Sequence, residues 1–189
     1  MGTARAPVAA VTGLKPRIRR FRRADVKPMT EGFAEGSIAE LTRYIFPYSR
    51  TAAFAEHERL TRQKKRHRFA ITVDDKLVGI CTLRPPLFSG MELTIGIFSE
   101  RYQGKGIGTF TVRHVCAWGF EKLRLHRIEL GVYPDNIRAQ RCYLRCGFKK
   151  EALLRKLLYN DGEFRDVIWM SLLRKEWQNV ISGRDGGRR

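Results

Sequence analysis

Apolar positions change period along this chain, and the changes mark its elements. Met91–Phe98 alternates strictly, with Leu93, Ile95 and Ile97 on one face and Glu92, Thr94, Gly96 and Phe98 on the other. Side chains of a strand point to opposite faces in turn, so this run predicts a strand with one polar face. Phe69–Val73 and Lys76–Leu83 flank Asp74-Asp75 and predict a strand, a turn and a second strand. An earlier strand is expected around Ile18 and Phe21, then a mostly helical segment from Asp25 to about Arg66, interrupted at Pro47. Its aromatic run Tyr44–Tyr48 suits ordinary core packing or a binding loop. Residues 105–121 are apolar around most of the helical circumference, the pattern of a helix covered on several sides. Arg127–Tyr133 predicts a strand ended by Pro134, and Asn136–Cys146 a short helix with Ala139, Cys142, Tyr143 and Cys146 on one face and Arg138, Arg141 and Arg145 opposite. Gly147 stops that helix, and two strands follow, about Phe148–Leu158 and Glu163–Leu173, around Asn160-Asp161-Gly162. No internal repeat is present.

Composition narrows the class. A chain of 189 residues with 43% apolar content fits one compact domain, expected over 14–178 between flexible tails at 1–13 and 179–189. No apolar run approaches the ~20 residues of a membrane helix, and the start lacks a signal-peptide core, so a cytoplasmic protein without membrane contact is expected. The four cysteines form no C-x-x-C pair, so reduced core thiols are expected in place of disulfides. No histidine or cysteine spacing suggests a metal site.

Charge changes the picture more than composition does. Lys+Arg outnumber Asp+Glu by 37 to 19, for a net charge of +18. Seven of the basic residues lie in 1–23, with no acid among them, and five in 62–68. Such a basic protein draws anionic molecules through long-range attraction, including a phosphate-bearing cofactor, RNA or the ribosome, unless the charge serves only solvation.

The candidate chemistry is concentrated in Gln103-Gly104-Lys105-Gly106-Ile107-Gly108-Thr109, between a strand and a long helix. Three glycines in five residues let a backbone come close to a ligand, and the helix start adds unpaired N–H groups and a positive dipole end. A phosphate is the natural guest. The pattern is neither a P-loop nor a dinucleotide fingerprint, and a purely structural tight turn is the bland alternative. A second element follows at a matched distance, Asn136-x-x-Ala139-x-x-x-Tyr143-x-x-x-Gly147-Phe148.

Together these two motifs resemble the GNAT superfamily of acetyl-CoA-dependent N-acetyltransferases. The loop matches the [Q/R]-x-x-G-x-[G/A] pattern at Gln103, Gly106 and Gly108, and the second motif matches at every named position. The likeness runs from about Ile18 to Trp177. Its closing Asn160–Asp166 and Met170–Leu173 resemble the branch containing ribosomal-protein N-terminal and spermidine acetyltransferases. It implies an α/β (α+β) fold: a mixed, mostly antiparallel sheet of about seven strands with a central splay, flanked by about four helices.

The resemblance also implies site roles. Acetyl-CoA is expected as co-substrate, its pyrophosphate over the N–H groups of Gly104, Lys105, Gly106, Ile107, Gly108 and Thr109, and its pantetheine arm along Ile95 to Phe98. Arg101 and Lys105 are further phosphate contacts. Asn136 is expected at the cofactor and as a helix N-cap. A main-chain N–H of Ile97 or Phe98 would serve the oxyanion. Tyr143 is the expected general acid, since a phenol near pKa 10 can protonate a thiolate whose conjugate acid is near 8.5. Glu92 is the expected base, acting through water, with Glu129 and Glu100 as rivals. A covalent route through Cys142 is disfavoured, because a thiol on an apolar helix face is ordinarily inert.

The implied enzyme is an acyltransferase moving an acetyl group directly to a primary amine in a ternary complex. The leading acceptor is a protein N-terminus, whose α-amine is roughly 10% neutral at pH 7, against under about 0.1% for a polyamine nitrogen. Small cationic amines, such as a polyamine or aminoglycoside, are the alternative, and a non-catalytic acyl-CoA- or RNA-binding module is the rival of another class. A homodimer is compatible with either.

Overall fold

The computed structural model describes residues 13–35, 50–63, 65–85, 90–160 and 162–182. The expectations placed on residues 1–12, 36–49, 86–89 and 183–189, on Lys64 in the basic cluster and on Asp161 in the expected turn lie outside the described residues.

Seven strands form one sheet: β1 (Pro16–Arg20), β2 (His67–Val73), β3 (Lys76–Arg84), β4 (Met91–Ile97), β5 (Arg127–Val132), β6 (Lys149–Asn160) and β7 (Glu163–Leu173). Their spatial order is β1-β2-β3-β4-β5-β7-β6. Every pairing is antiparallel except β4 with β5, which is parallel and registers only Met91 with Ile128 and Glu92 with Glu129. A parallel pair needs a long crossover. Here the crossover is a 3₁₀ turn at Glu100–Tyr102, the glycine loop and a long helix, and beyond Glu92 the two strands are no longer registered. That is the expected splay.

Among the described residues, five α-helices accompany the sheet: α1 (Val26–Glu35), α2 (Arg50–Thr61), α3 (Ile107–Lys122), α4 (Ile137–Arg145) and α5 (Arg174–Ile181). Residues 179–181, expected in a flexible tail, belong to α5, because Val180 lies over the end of α4. A Cβ at Gly147 would meet Val180 Cγ2 at 2.7 Å, and Gly147 has φ 92, so the turn out of α4 needs glycine on both counts.

The main core lies on the α3 face of the sheet. Val112, Val115, Cys116 and Phe120 of α3 pack on Leu83, Leu93, Ile128 and Leu130, all at most 1% exposed. Burial of each large side chain contributes about 1.5–3 kcal/mol. On the opposite face, α1 and α2 cover Ile80 and Phe98 through Val26, Met29 and Ala53. Helix α1 approaches so closely that a Cβ at Gly32 would strike the Phe98 ring at 2.5 Å. Arg19 ties this layer to β1 by a two-pronged pair with Asp25, at 2.6 and 2.7 Å. The alternation read in Met91–Phe98 therefore separates two buried faces.

Candidate active site at the sheet splay

The glycine loop is shaped by its own sequence. Gln103 Nε2 donates to the carbonyl of Ile97 at 3.0 Å, folding the loop back against the end of β4. Gly104 and Gly106 take φ 72 and 82, values that cost other residues a steric clash. Gly106 is the N-cap of α3, whose first recorded turn bond runs from the Phe110 N–H to the Gly106 carbonyl at 2.9 Å. The N–H groups just before it have no partner within the helix. Gly108 is different: its φ is not positive, and a Cβ there would meet only Cys142 Sγ, at an ordinary 3.5 Å. The fold does not demand glycine at 108, and its absent side chain leaves space at the mouth of the helix. An anionic, phosphate-bearing cofactor fits this cradle.

Helix α4 forms the neighbouring wall. Asn136 Oδ1 accepts the Ala139 N–H at 3.1 Å, the expected cap. Buried Gln140 donates to the Pro134 carbonyl at 2.7 Å and accepts from Lys150 Nζ at 2.8 Å, fixing α4 against the strand end. Tyr143 is thereby held in the wall, 8% exposed, with its ring 6.0 Å from that of Phe148.

The walls enclose a cavity of about 230 Å³ lined from both faces of the sheet. On the α3 face it meets Gln103, Gly106, Gly108, Thr109, Asn136 and Tyr143, and on the other face Phe33, Ile80, Glu92, Thr94 and Tyr133. It crosses the sheet through the splay, where Ile97 and Gly131 line it. The Phe98 N–H donates to the Val78 carbonyl at 2.9 Å, while Ile97 registers with Gly79. In that antiparallel pattern the main-chain groups of Ile95 and Ile97 point away from β3 and into the gap.

Most expected site residues therefore meet at one place, with two corrections of detail. The Phe98 N–H is taken up by Val78, and its ring is buried 4.7 Å from Phe33, so Phe98 supplies no oxyanion donor. Ile97 keeps that geometry. Ile107, expected to contribute its main-chain N–H, has its side chain fully buried in the core. Lys105 is exposed and does not line the cavity.

Glu92 lines the cavity at 2% exposure, and its Oε2 lies 2.8 Å from Arg84 Nη2. Glu129 is as deeply buried but does not line the cavity, and neither does Glu100. Cys142 departs from the expectation of an inert core thiol: it lines the cavity, with Thr109 Oγ1 at 3.5 Å. Hydrogen bonding from Cys146 lowers its pKa against the opposing effect of burial, helped by Thr109, Arg145 and Arg113. Cys146 is pushed up correspondingly. Sequence reasoning also passed over Arg138, Arg145, Tyr133 and Phe33 as cavity residues. The two arginines carried a signal, since cations on a helix beside a phosphate loop suit the same anion; Tyr133 and Phe33 carried none. Among the described residues, no group of three or more His, Cys, Asp or Glu is placed to hold a metal ion.

A sheet opened at one parallel pair, with a glycine loop at a helix start, leaves a cavity suited to a phosphate-bearing ligand, and comparison with known proteins assigns the family. Residues 17–149 match the acetyltransferase (GNAT) domain, and the chain belongs to that family. It is 35% identical over 119 residues to YjcK of Bacillus subtilis, provisionally designated an N-acetyltransferase, with 61% of this chain and 66% of YjcK covered. YdaF of the same organism, provisionally designated a ribosomal N-acetyltransferase, is 30% identical over 56% of this chain and 58% of its own length. This chain thus spans less than two thirds of the length of each of these two relatives. Among solved structures, spermidine N-acetyltransferase from Vibrio cholerae, in complex with CoA and spermine, superposes with a TM-score of 0.78 at 23% identity, covering 87% of this chain and 98% of that one.

Proposed function

We propose that this protein is an acetyl-CoA-dependent N-acetyltransferase acting on a primary amine, within one catalytic domain running from about residue 14 to the end of α5. The observation that carries the proposal is the cavity crossing the sheet, which lets a cofactor and an acceptor enter from opposite faces and meet at the splay. When bound, acetyl-CoA supplies the activated acetyl thioester. The chain's own residues do the rest. The N–H groups of Gly106 to Thr109 hold the phosphates, helped by Arg138 and Arg145 at the rim. The outward main-chain groups of Ile95 hold the amide-bearing arm as an added strand would, and the Ile97 N–H stabilises the oxyanion. Tyr143 donates a proton to the departing thiolate, and Glu92 takes one from the incoming ammonium.

The acceptor side is polar and buried, and Glu92 within it supports a strongly basic acceptor that needs deprotonation before attack. Small alkylamines of the polyamine class fit this need. The spermine-bound structural neighbour and a 26% identical Escherichia coli spermidine N(1)-acetyltransferase point the same way. A protein N-terminus is the second reading, supported by YdaF. The test is release of free CoA thiol from acetyl-CoA over a panel holding spermidine, an aminoglycoside and peptides with free N-termini. Faster turnover of spermidine is expected. Turnover of peptides alone would select the second reading, and no thiol release with any amine would leave a non-catalytic binding module.

A further inference from the structure

Among the described residues, one buried carboxylate oxygen lacks what buried oxygens require. Glu129 is 1% exposed; its Oε2 is held by Arg127 Nε at 2.9 Å, but its Oε1 is buried with no hydrogen-bond partner. An unsatisfied buried carboxylate oxygen is strongly destabilising unless something neutralises it. Its surroundings are polar. Arg127 must also serve Glu151, which it holds at 2.6 and 3.0 Å, so two carboxylates share that guanidinium. Ser171, the register partner of Glu129 on β7, gives its hydroxyl to Glu151 at 2.6 Å. On the other side, the register partner of Glu129 on β4 is Glu92, itself beside Arg84 of β3. Directly paired residues of parallel strands lie about 4.8 Å apart and point to the same face. The two glutamates thus stand side by side at the vertex of the splay, one on the cavity wall and one behind it.

Resting on the acetyltransferase reading, we propose that Glu129 is a positioning residue that completes a carboxyl pair with Glu92. The proton that Glu92 takes from the acceptor is held between the Glu92 carboxylate and Glu129 Oε1. A proton is the one guest that needs no volume, and a carboxyl O–H would give the orphaned oxygen its missing bond. The ammonium loses one proton to the pair. The neutral amine then bonds to the acetyl carbon as the C–S bond breaks, and its second proton leaves with the thiolate through Tyr143. After product departs, the pair returns its proton to water through Glu92.

The test is Glu129→Gln, whose carbonyl still accepts from Arg127. With spermidine, kcat should fall about tenfold or more, the loss allowed by one charge-assisted hydrogen bond, while KM and acetyl-CoA affinity stay within twofold. With an alkoxyamine, already neutral at the assay pH, kcat should stay within twofold. Glu151→Gln breaks the same Arg127 network away from the cavity and should leave both amines unaffected. Equal loss with both amines, equal damage from Glu151→Gln, or no loss at all overturns the proposal. Infrared difference spectra between neutral and acidic buffer decide independently of turnover. If the proton is shared, Glu92→Gln and Glu129→Gln each abolish the same protonated-carboxyl band, whereas two independent carboxyls lose only their own. If wild-type protein releases no thiol with any amine, the acetyltransferase reading fails and the infrared result still decides the pair.

Discussion

At the scale of single residues, the cavity wall distinguishes groups that pack from groups that react. Tyr143 is placed for both: it belongs to the core and also lines the cavity. Tyr143→Phe keeps the packing and removes the proton donor. Its kcat should fall ten- to a hundredfold in acetyl transfer, a range typical of lost general acid catalysis, with acetyl-CoA affinity unchanged by calorimetry; unchanged turnover with chemistry rate-limiting would make Tyr143 a packing residue. Cys142 gives a second readout. Thiolate is the reactive form, and the hydrogen bond from Cys146 favours it. Iodoacetamide should therefore modify Cys142 before the buried Cys81 and Cys116, whose thiols burial pushes up. Its rate should rise at a lower pH than that of free cysteine. Saturating acetyl-CoA should slow the labelling at least tenfold if the cofactor lies along α4, as peptide mass mapping would reveal. Equal labelling of all four thiols would contradict the assignment.

Among elements, the start of α3 carries the strongest expectation. Gly108→Ala adds a Cβ at van der Waals distance from Cys142 and should leave thermal stability within about 1 kcal/mol of wild type, since exchange of helical glycine for alanine offsets slight crowding. Gly108→Trp fills the cradle. The rise in melting temperature that millimolar acetyl-CoA gives wild type should vanish in that variant, as ligand linkage requires if the phosphates sit there. A tryptophan variant that still responds would make the loop a turn and nothing more. The elements were largely legible beforehand because period and punctuation were both strong: the alternation of Met91–Ile97, the Asp74-Asp75 turn and Asn136 capping α4 all appear where residues alone put them. What escaped was context. Residues 179–181 read as a tail because the burial of Val180 against Gly147 joins distant positions. The Phe98 N–H looked available because strand register, which decides the direction of every amide, is not written in one strand. Glu92 and Glu129 read as separate candidates because only the parallel pairing brings them side by side.

Over the whole molecule, the net charge of +18 is partly absorbed by structure. Arg19 pairs with Asp25, Arg20 lies over the rings of Phe69 and Trp118 at 5.4 and 5.3 Å, and Arg23 lies over Phe54 at 5.0 Å. Contacts of this kind give part of the N-terminal basic run a local purpose. They also set an acid limit. For Asp25, burial raises the pKa, but the bonds from Arg19 and Arg22 outweigh it, so the net shift is downward. Arg127 holds Glu151 down to about 2. A depressed carboxyl pKa adds stability above its unfolded value and loses it as pH falls toward the folded one. Unfolding free energy in urea should therefore decline from about pH 4.5 downward. Arg127→Ala should flatten that decline by about 1 kcal/mol or less, because Glu151 is half exposed and solvent screens the pair. An identical pH slope in the variant would show that other carboxylates set the limit.

The two-pair parallel seam between β4 and β5 has a consequence for how this protein tolerates change. An opening carved by small side chains closes with a few enlarging substitutions. This one is held open by strand divergence, and its inner edge is main chain. The groups that Ile95 and Ile97 turn toward the gap are identical in every amino acid except proline. Drift at those positions alters the upholstery of the slot while its hydrogen-bonding edge persists, so side chains on either face of the sheet can change without closing the opening or removing its main-chain donors and acceptors.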